Sequence, residues 1–186
     1  MTKIAIILGS TRPGRNGEAV AKWALDIAKQ RGTAEYELLD LLDYELPHLD
    51  EPLPPAMGQY AQEHTKRWAE KIAEFDGYVF VTAEYNHAIP GPLKNAIDFL
   101  GAEWNNKAAG FVGYGSVGAV RAVEQLRLVL SNLQVAHVTS QVALSLFTDF
   151  ENMSTFKPAE MHTGYLNTTL DQVEAWSKAL ATLRNA

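Results

Sequence analysis

In the stretch Ile4-Ala5-Ile6-Ile7-Leu8-Gly9-Ser10-Thr11-Arg12-Pro13-Gly14-Arg15-Asn16-Gly17, five apolar residues without polar alternation run into a loop that holds three glycines. An unalternated apolar run is the pattern of a strand covered on both faces, as in a parallel sheet. Glycines let the loop backbone turn sharply and approach a ligand closely, and a helix starting at Asn16 points unpaired N–H groups and its positive dipole end at the same spot. The loop is therefore predicted to cradle an anion, phosphate foremost. Ser10, Thr11 and Asn16 add short donors, and Arg12 and Arg15 add guanidinium groups suited to phosphate oxygens. Gly9 and Gly14 have the spacing of a nucleoside triphosphate loop, but that chemistry needs Lys and then Ser or Thr at the next two positions, where the chain has Arg15 and Asn16. Triphosphate hydrolysis is excluded on that ground. Glycines serving only turn geometry are the competing reading, and the Arg and short polar residues weigh against it.

Working outward, 186 residues suit a single domain, residues 1–186, able to bury about 70% of its unfolded surface. The net charge of −6, with 16 basic against 22 acidic residues and no block of Lys and Arg, makes nucleic acid and anionic membranes poor partners. Absence of cysteine excludes disulfides, thiolate metal sites and cysteine nucleophiles. Met1-Thr2-Lys3 leads directly into an apolar run too short for a signal-peptide core, and no stretch reaches membrane-spanning length, so a soluble cytoplasmic protein is expected.

Val20, Trp23, Ala24 and Ile27 recur at helical spacing, with Asn16 as N-cap and Gly32 as stop. Tyr36 to Leu42 reads as a less apolar edge strand. Between Leu46 and Gly58 lie Pro47, Pro52, Pro54 and Pro55, half of the chain's eight prolines, which predicts a long ordered, non-helical loop. Tyr60 to Phe75 is a helix closed by Asp76-Gly77, and Tyr78 to Val81 a β-branched and aromatic strand. Thr82 to Pro92 follows as a polar loop, and Pro92 opens a helix that turns Leu93, Ala96, Ile97 and Leu100 inward and ends at Gly101. Ala108 to Val112 is the fourth strand, Gly113 to Gly118 a second Gly-rich loop, and Val120, Val123, Leu126 and Leu130 mark the fourth helix. Val135 to Leu144 is the fifth strand, Phe147 to His162 is irregular, and Leu166, Leu170, Val173, Trp176, Leu180 and Leu183 form a final amphipathic helix. Strict β/α alternation predicts an α/β, doubly wound five-stranded parallel sheet with helices on both faces and the flavodoxin-like order 2-1-3-4-5. Ligands in such sheets bind at the strand carboxyl ends between strands one and three, which is where the loops at Gly9 and Ala83 emerge.

Gly113-Tyr114-Gly115-Ser116-Val117-Gly118 matches G-x-G-x-x-G between a strand and a helix. The dinucleotide fingerprint also expects an acidic residue roughly 20 residues on, yet Gln134 to Gln141 holds no Asp or Glu. The loop is read instead as bare backbone beside a planar ligand, with Tyr114 or Ser116 at its edge.

On Gly9-Ser10-x-Arg12-x-Gly14, on Glu84-Tyr85-Asn86-His87-x-Ile89-Pro90-Gly91-x-Leu93-Lys94-Asn95-Ala96-Ile97-Asp98 and on Gly113 to Ser116, the chain resembles the NADPH-dependent FMN reductase family of flavodoxin-like flavin and quinone reductases. The resemblance covers roughly residues 3–145. It implies FMN as cofactor, with Ser10, Arg12, Arg15, Asn16 and Gly17 at the phosphate, Glu84, Tyr85 and Asn86 at ribityl and ring, and Gly113, Tyr114, Gly115 and Ser116 along the isoalloxazine. NADPH or NADH is implied as co-substrate, with a flavin, quinone or azo compound as small-molecule acceptor at the same site, and a homodimer or homotetramer as the assembly, the helix near Pro92 a candidate contact. Ala83 stands where the family often has Pro, and Arg15 where many members have Ser. Arg15 either strengthens the phosphate site or points outward toward NADPH.

No side chain is singled out as catalytic. His87 lies in the flavin loop, but a His satisfied by backbone there is the stronger reading, because hydride transfer to flavin needs placement more than proton transfer. His48, His64, His137 and His162 are too scattered for a metal site. A flavodoxin-type FMN electron carrier that does not react with nicotinamide is the alternative, and an anion-binding module without flavin a third reading.

Overall fold

A computed structural model describes residues 1–184 of the chain. Five parallel strands, β1 (Lys3–Leu8), β2 (Glu35–Asp40), β3 (Gly77–Ala83), β4 (Ala108–Gly115) and β5 (Ala136–Ser145), lie in the order β2-β1-β3-β4-β5. The expected order and the edge position of β2 are both borne out. Five helices alternate with the strands: α1 (Gly17–Arg31), α2 (Glu63–Ala73), α3 (Gly91–Asp98), α4 (Val120–Asn132) and α5 (Met161–Arg184). None is long and apolar enough to cross a membrane among the described residues.

The sheet separates two cores, because successive strand residues face opposite ways. On one face Ile4, Ile6 and Leu8 of β1 and Val79 and Val81 of β3 meet Val20 and Ala24 of α1 and Leu166, Leu170 and Val173 of α5. On the other, Ile7, Tyr78, Phe80 and Phe111 meet Trp68 and Ile72 of α2, Leu93 and Ile97 of α3, and Val123 and Leu126 of α4. Both faces being covered is the reason for the unalternated apolar strands. Trp104 anchors the second core, with ring centroids 5.0 Å from Tyr78 and 6.3 Å from Phe80.

Several expectations need correction. The fourth strand runs on to Gly115, so Gly113 and Tyr114 are sheet residues paired with Ala143 and Leu144, and the true turn is Ser116 to Ala119. Continued ladder pairing overrides the low strand preference of glycine there. β2 stops at Asp40, whose carboxylate accepts from Leu42 N at 3.0 Å and starts a turn of 3-10 helix over Leu41–Tyr44. The helix expected from Tyr60 begins at Glu63, and α3 starts at Gly91, which places Pro92 at its second position. The helix expected to end at Gly101 stops at Asp98. Gly32 does end α1 in the left-handed region, φ 65°. Phe147 to His162 is not simply irregular: β6 (Phe150–Glu151) and β7 (Thr155–Phe156) form a small hairpin packed on α1, with Phe156 5.7 Å from Trp23. On the last helix Leu166, Leu170 and Val173 are buried, while Trp176 and Leu183 are exposed.

The proline-rich segment is ordered by side chains that take up its backbone groups. Asn95 donates to Pro47 O at 2.7 Å and accepts from Leu49 N at 3.0 Å, and Glu51 accepts from Ala61 N and Gln62 N. One further turn of 3-10 helix, Pro55–Met57, interrupts the expected non-helical course. Phe80→Ala, which empties a fully buried ring site between Trp104 and Phe111, is expected to cost about 3–5 kcal/mol of unfolding free energy, read from the denaturant midpoint.

Candidate active site

The carboxyl ends of β1, β3, β4 and β5 deliver four connections to one end of the sheet, at the place where strand order reverses. A cleft of about 260 Å³ opens there. Eight of the twelve residues expected at the cofactor line it: Arg12, Arg15, Asn16, Glu84, Tyr85, Tyr114, Gly115 and Ser116, joined by Ala83 and Leu146. The other four, Ser10, Gly17, Asn86 and Gly113, are not part of its lining.

Ser10 is fully buried and shares a 2.8 Å hydrogen bond with the Tyr85 hydroxyl, which ties the first loop to the loop after β3. The Arg12 guanidinium lies 6.0 Å from the Tyr85 ring centroid and has no ion-pair partner among the described residues. Asn16 stands at the N-cap of α1 but does not cap it; its amide donates 2.9 Å to Met153 O in the hairpin turn. The first-turn amides of α1 are therefore left without a capping side chain, as an anion site requires.

Gly17 is required by contact. A Cβ there would sit 2.4 Å from the Tyr114 hydroxyl and 2.7 Å from a Leu8 methyl. Tyr114 is buried beneath the start of α1, and its hydroxyl has no hydrogen-bond partner among the described residues. Burial, with the neighbouring Tyr85 hydroxyl, pushes that phenol up to about 12, so it is a donor at every working pH. Gly113 has no more room, since a Cβ would lie 2.4 Å from Gly118 O.

Glu84 points away from a ligand role for its carboxylate. It accepts from Arg121 N at 3.1 Å, Ala122 N at 3.2 Å and Arg121 Nε at 2.6 Å, and so caps α4. Burial opposes its charge, but these bonds outweigh burial and hold the carboxyl below the usual glutamate range. Asn86 and His87 form the left-handed tip of the turn, φ 51° and 68°, closed by paired backbone bonds between Tyr85 and Ala88. His87 is exposed, and its Nε2 lies 2.7 Å from Arg121 Nη1; contrary to the sequence expectation of a backbone partner, a side chain satisfies it. Lys94 pairs with Asp98 at the surface of α3.

Residue reasoning missed the wall on the β5 side. Leu146 N donates to Gly115 O at 3.0 Å and Ser145 Oγ to Ser116 O at 3.3 Å, which places Leu146 against the cleft. Asp149 sets this segment by accepting from Ser145 N and Ala159 N and pairing with His162. The topology carried the signal for Leu146, because every strand carboxyl end opens on the same side of a parallel sheet. The Asp149 contacts join residues with no shared spacing or motif.

Gly17→Ala is expected to cost about 1–3 kcal/mol by overpacking Tyr114 and Leu8, seen as a lower melting temperature. Adding Tyr114→Phe, which removes the nearest atom, should recover part of that loss.

Comparison with known proteins agrees with this geometry. A family model described as NADPH-dependent FMN reductase matches residues 2–149. The NAD(P)H-dependent FMN reductase C4B3.06c of Schizosaccharomyces pombe is 40% identical over 166 residues, covering 88% of this chain and 83% of that protein. A 2-hydroxy-1,4-benzoquinone reductase from a Burkholderia species is 26% identical over 183 residues, covering 94% and 95% respectively. Among solved structures, FerB, a flavoenzyme NAD(P)H:(acceptor) oxidoreductase from Paracoccus denitrificans, shares the fold with a TM-score of 0.76 at 24% identity, covering 96% of this chain and 98% of that one. The extent of the family match and of the similarity to the yeast protein, over a sheet of this order, establishes that the chain belongs to the NADPH-dependent FMN reductase family.

Proposed function

We propose that this chain is an FMN-dependent NAD(P)H oxidoreductase in which the nicotinamide and a second small-molecule acceptor, a flavin, quinone or azo compound, alternate at one flavin site. The observation that carries the reading is the donor set at one end of the cleft: the first-turn amides of α1, which no side chain caps, and the Arg12 guanidinium, which has no ion-pair partner among the described residues. These groups suit an anionic phosphate with a polyol attached, so the residues present fit FMN. When bound, the flavin supplies the chemistry of accepting hydride and passing electrons on.

The chain's own contribution is placement. Arg12 and the α1 amides hold the phosphate end, and Tyr85, fixed by Ser10, sets the distance between the first and third connections. The side-chain-free edge at Gly115 lets backbone lie close to a planar ring, while Ala83 and Leu146 exclude water from it. No side chain is assigned a proton-transfer step: Glu84 is committed to α4 and His87 to Arg121.

The same reading takes the chain as one domain acting in the cytoplasm, where its nicotinamide reductant is soluble, and as a homodimer or homotetramer. The face beside α3 supports assembly, because Leu42 of the preceding 3-10 turn and Leu49, Leu53 and Met57 of the proline-rich segment are exposed.

The deciding experiment is the visible spectrum of protein with FMN before and after anaerobic NADPH or NADH. Bound flavin that bleaches rapidly is the expected result. Bound flavin that stays oxidised would favour the electron-carrier reading, and protein that takes up no flavin would overturn the assignment. In the same preparation Arg12→Ala should weaken FMN binding by about 1–3 kcal/mol while leaving riboflavin, which has no phosphate, nearly unchanged.

A further inference from the structure

Taking the first loop as the FMN phosphate site, we propose that Arg15 is a positioning residue that builds the loop from beneath, with Asp40 as its anchor, and that it does not touch phosphate or nicotinamide. The two arginines of the loop are in opposite situations. Arg12 is exposed and unpaired among the described residues, whereas the Arg15 side chain is only 3% exposed. Each of its three nitrogens is engaged. Nη1 donates to Ser10 O at 2.5 Å, Nε to Glu18 Oε1 at 3.1 Å, and Nη2 to Asp40 and to Glu18 Oε1 at 3.0 Å.

Asp40 is a rigid anchor. It is the last residue of β2, it stands in register with Leu8 at the end of β1, and its second oxygen accepts from Leu42 N. Arg15 therefore spans from the phosphate loop to the edge strand and holds the carbonyl of Ser10 inward. That carbonyl's direction fixes the plane of the Ser10–Thr11 peptide, and with it the Thr11 N–H in the loop that an anion would meet.

Charge points the same way. Arg15, Glu18 and Asp40 together carry a net −1, so the cluster as a unit does not attract phosphate. Turning Nη2 toward an anion would mean abandoning Asp40 and leaving a carboxylate with 20% exposure uncompensated. Attraction is left to Arg12, the α1 amides and the hydroxyls.

The test is amide hydrogen exchange over residues 9–17 in the FMN-free protein, together with FMN and riboflavin dissociation constants, for Arg15→Met, Asp40→Asn and the double variant. A strut predicts faster exchange in the absence of cofactor for both single variants. It also predicts FMN binding weaker by on the order of tenfold, and a double variant no worse than the poorer single one. A direct phosphate ligand predicts the opposite sign at Asp40: Asp40→Asn frees Arg15 and tightens FMN, while Arg15→Met leaves exchange unaltered. That pair of results would overturn the proposal. Should Arg15→Met fail to fold, the direction of the change in Asp40→Asn decides alone. If the wild-type chain binds no FMN, the exchange measurement still reads the strut: faster exchange supports it and unaltered exchange overturns it.

Discussion

The Tyr114 hydroxyl fills the space that a side chain at Gly17 would take, which brings the end of β4 against the start of α1, although β3 lies between β4 and β1 in the sheet. The loop after β1 therefore cannot be shaped without the strand two places away. Ser10 and Tyr85 make the intermediate link, from the β1 connection to the β3 connection. The cleft is thus a property of the assembled sheet, since no one of its walls can be set by local sequence. Reversal of strand order opens the crevice, and close packing across it gives the crevice a definite width.

Electrostatic commitments narrow the chemistry further. In a chain of net charge −6, the acidic groups nearest the cleft are each occupied: Glu84 by the α4 terminus and Arg121, Asp40 and Glu18 by Arg15, Asp149 by backbone amides and His162. With these carboxylates held by other partners, the α1 dipole and Arg12 are the groups left to draw an anion to the mouth. Burial is what makes this arrangement specific. Glu84 and Asp149, with several donors on each carboxylate, have little left for a passing cation, whereas the exposed Arg12 guanidinium is open to an anion.

The sheet was legible in the sequence because covered strands and amphipathic helices differ in period, and β1 and β3 are nearly pure cases. Limits of elements were less legible. The glycines after Val112 read as loop from composition, yet pairing with β5 carries the strand on to Gly115. Asn16 read as a cap from its type and place, but Met153 O, reachable only through the tertiary fold, takes its amide. Residue types in the three loops were enough to find eight of the lining positions. They did not distinguish Arg12 from Arg15, because two arginines three residues apart look alike until a counterion from another strand is placed beside one of them.

The hairpin at Phe150 to Phe156 lies beyond the residues matched by the family model, yet it holds Asn16 at the opening of the first loop and adjoins the wall formed by Leu146. Its own position depends on Asp149 meeting His162 at the start of α5. During synthesis the amino-terminal loop leaves the ribosome first, but its last contacts are made only when the chain beyond residue 162 has emerged, since domains take shape in order of synthesis. A site opened at Gly9 is thus closed by contacts that reach residue 162, so its geometry belongs to the folded chain as a whole and not to its first βα unit.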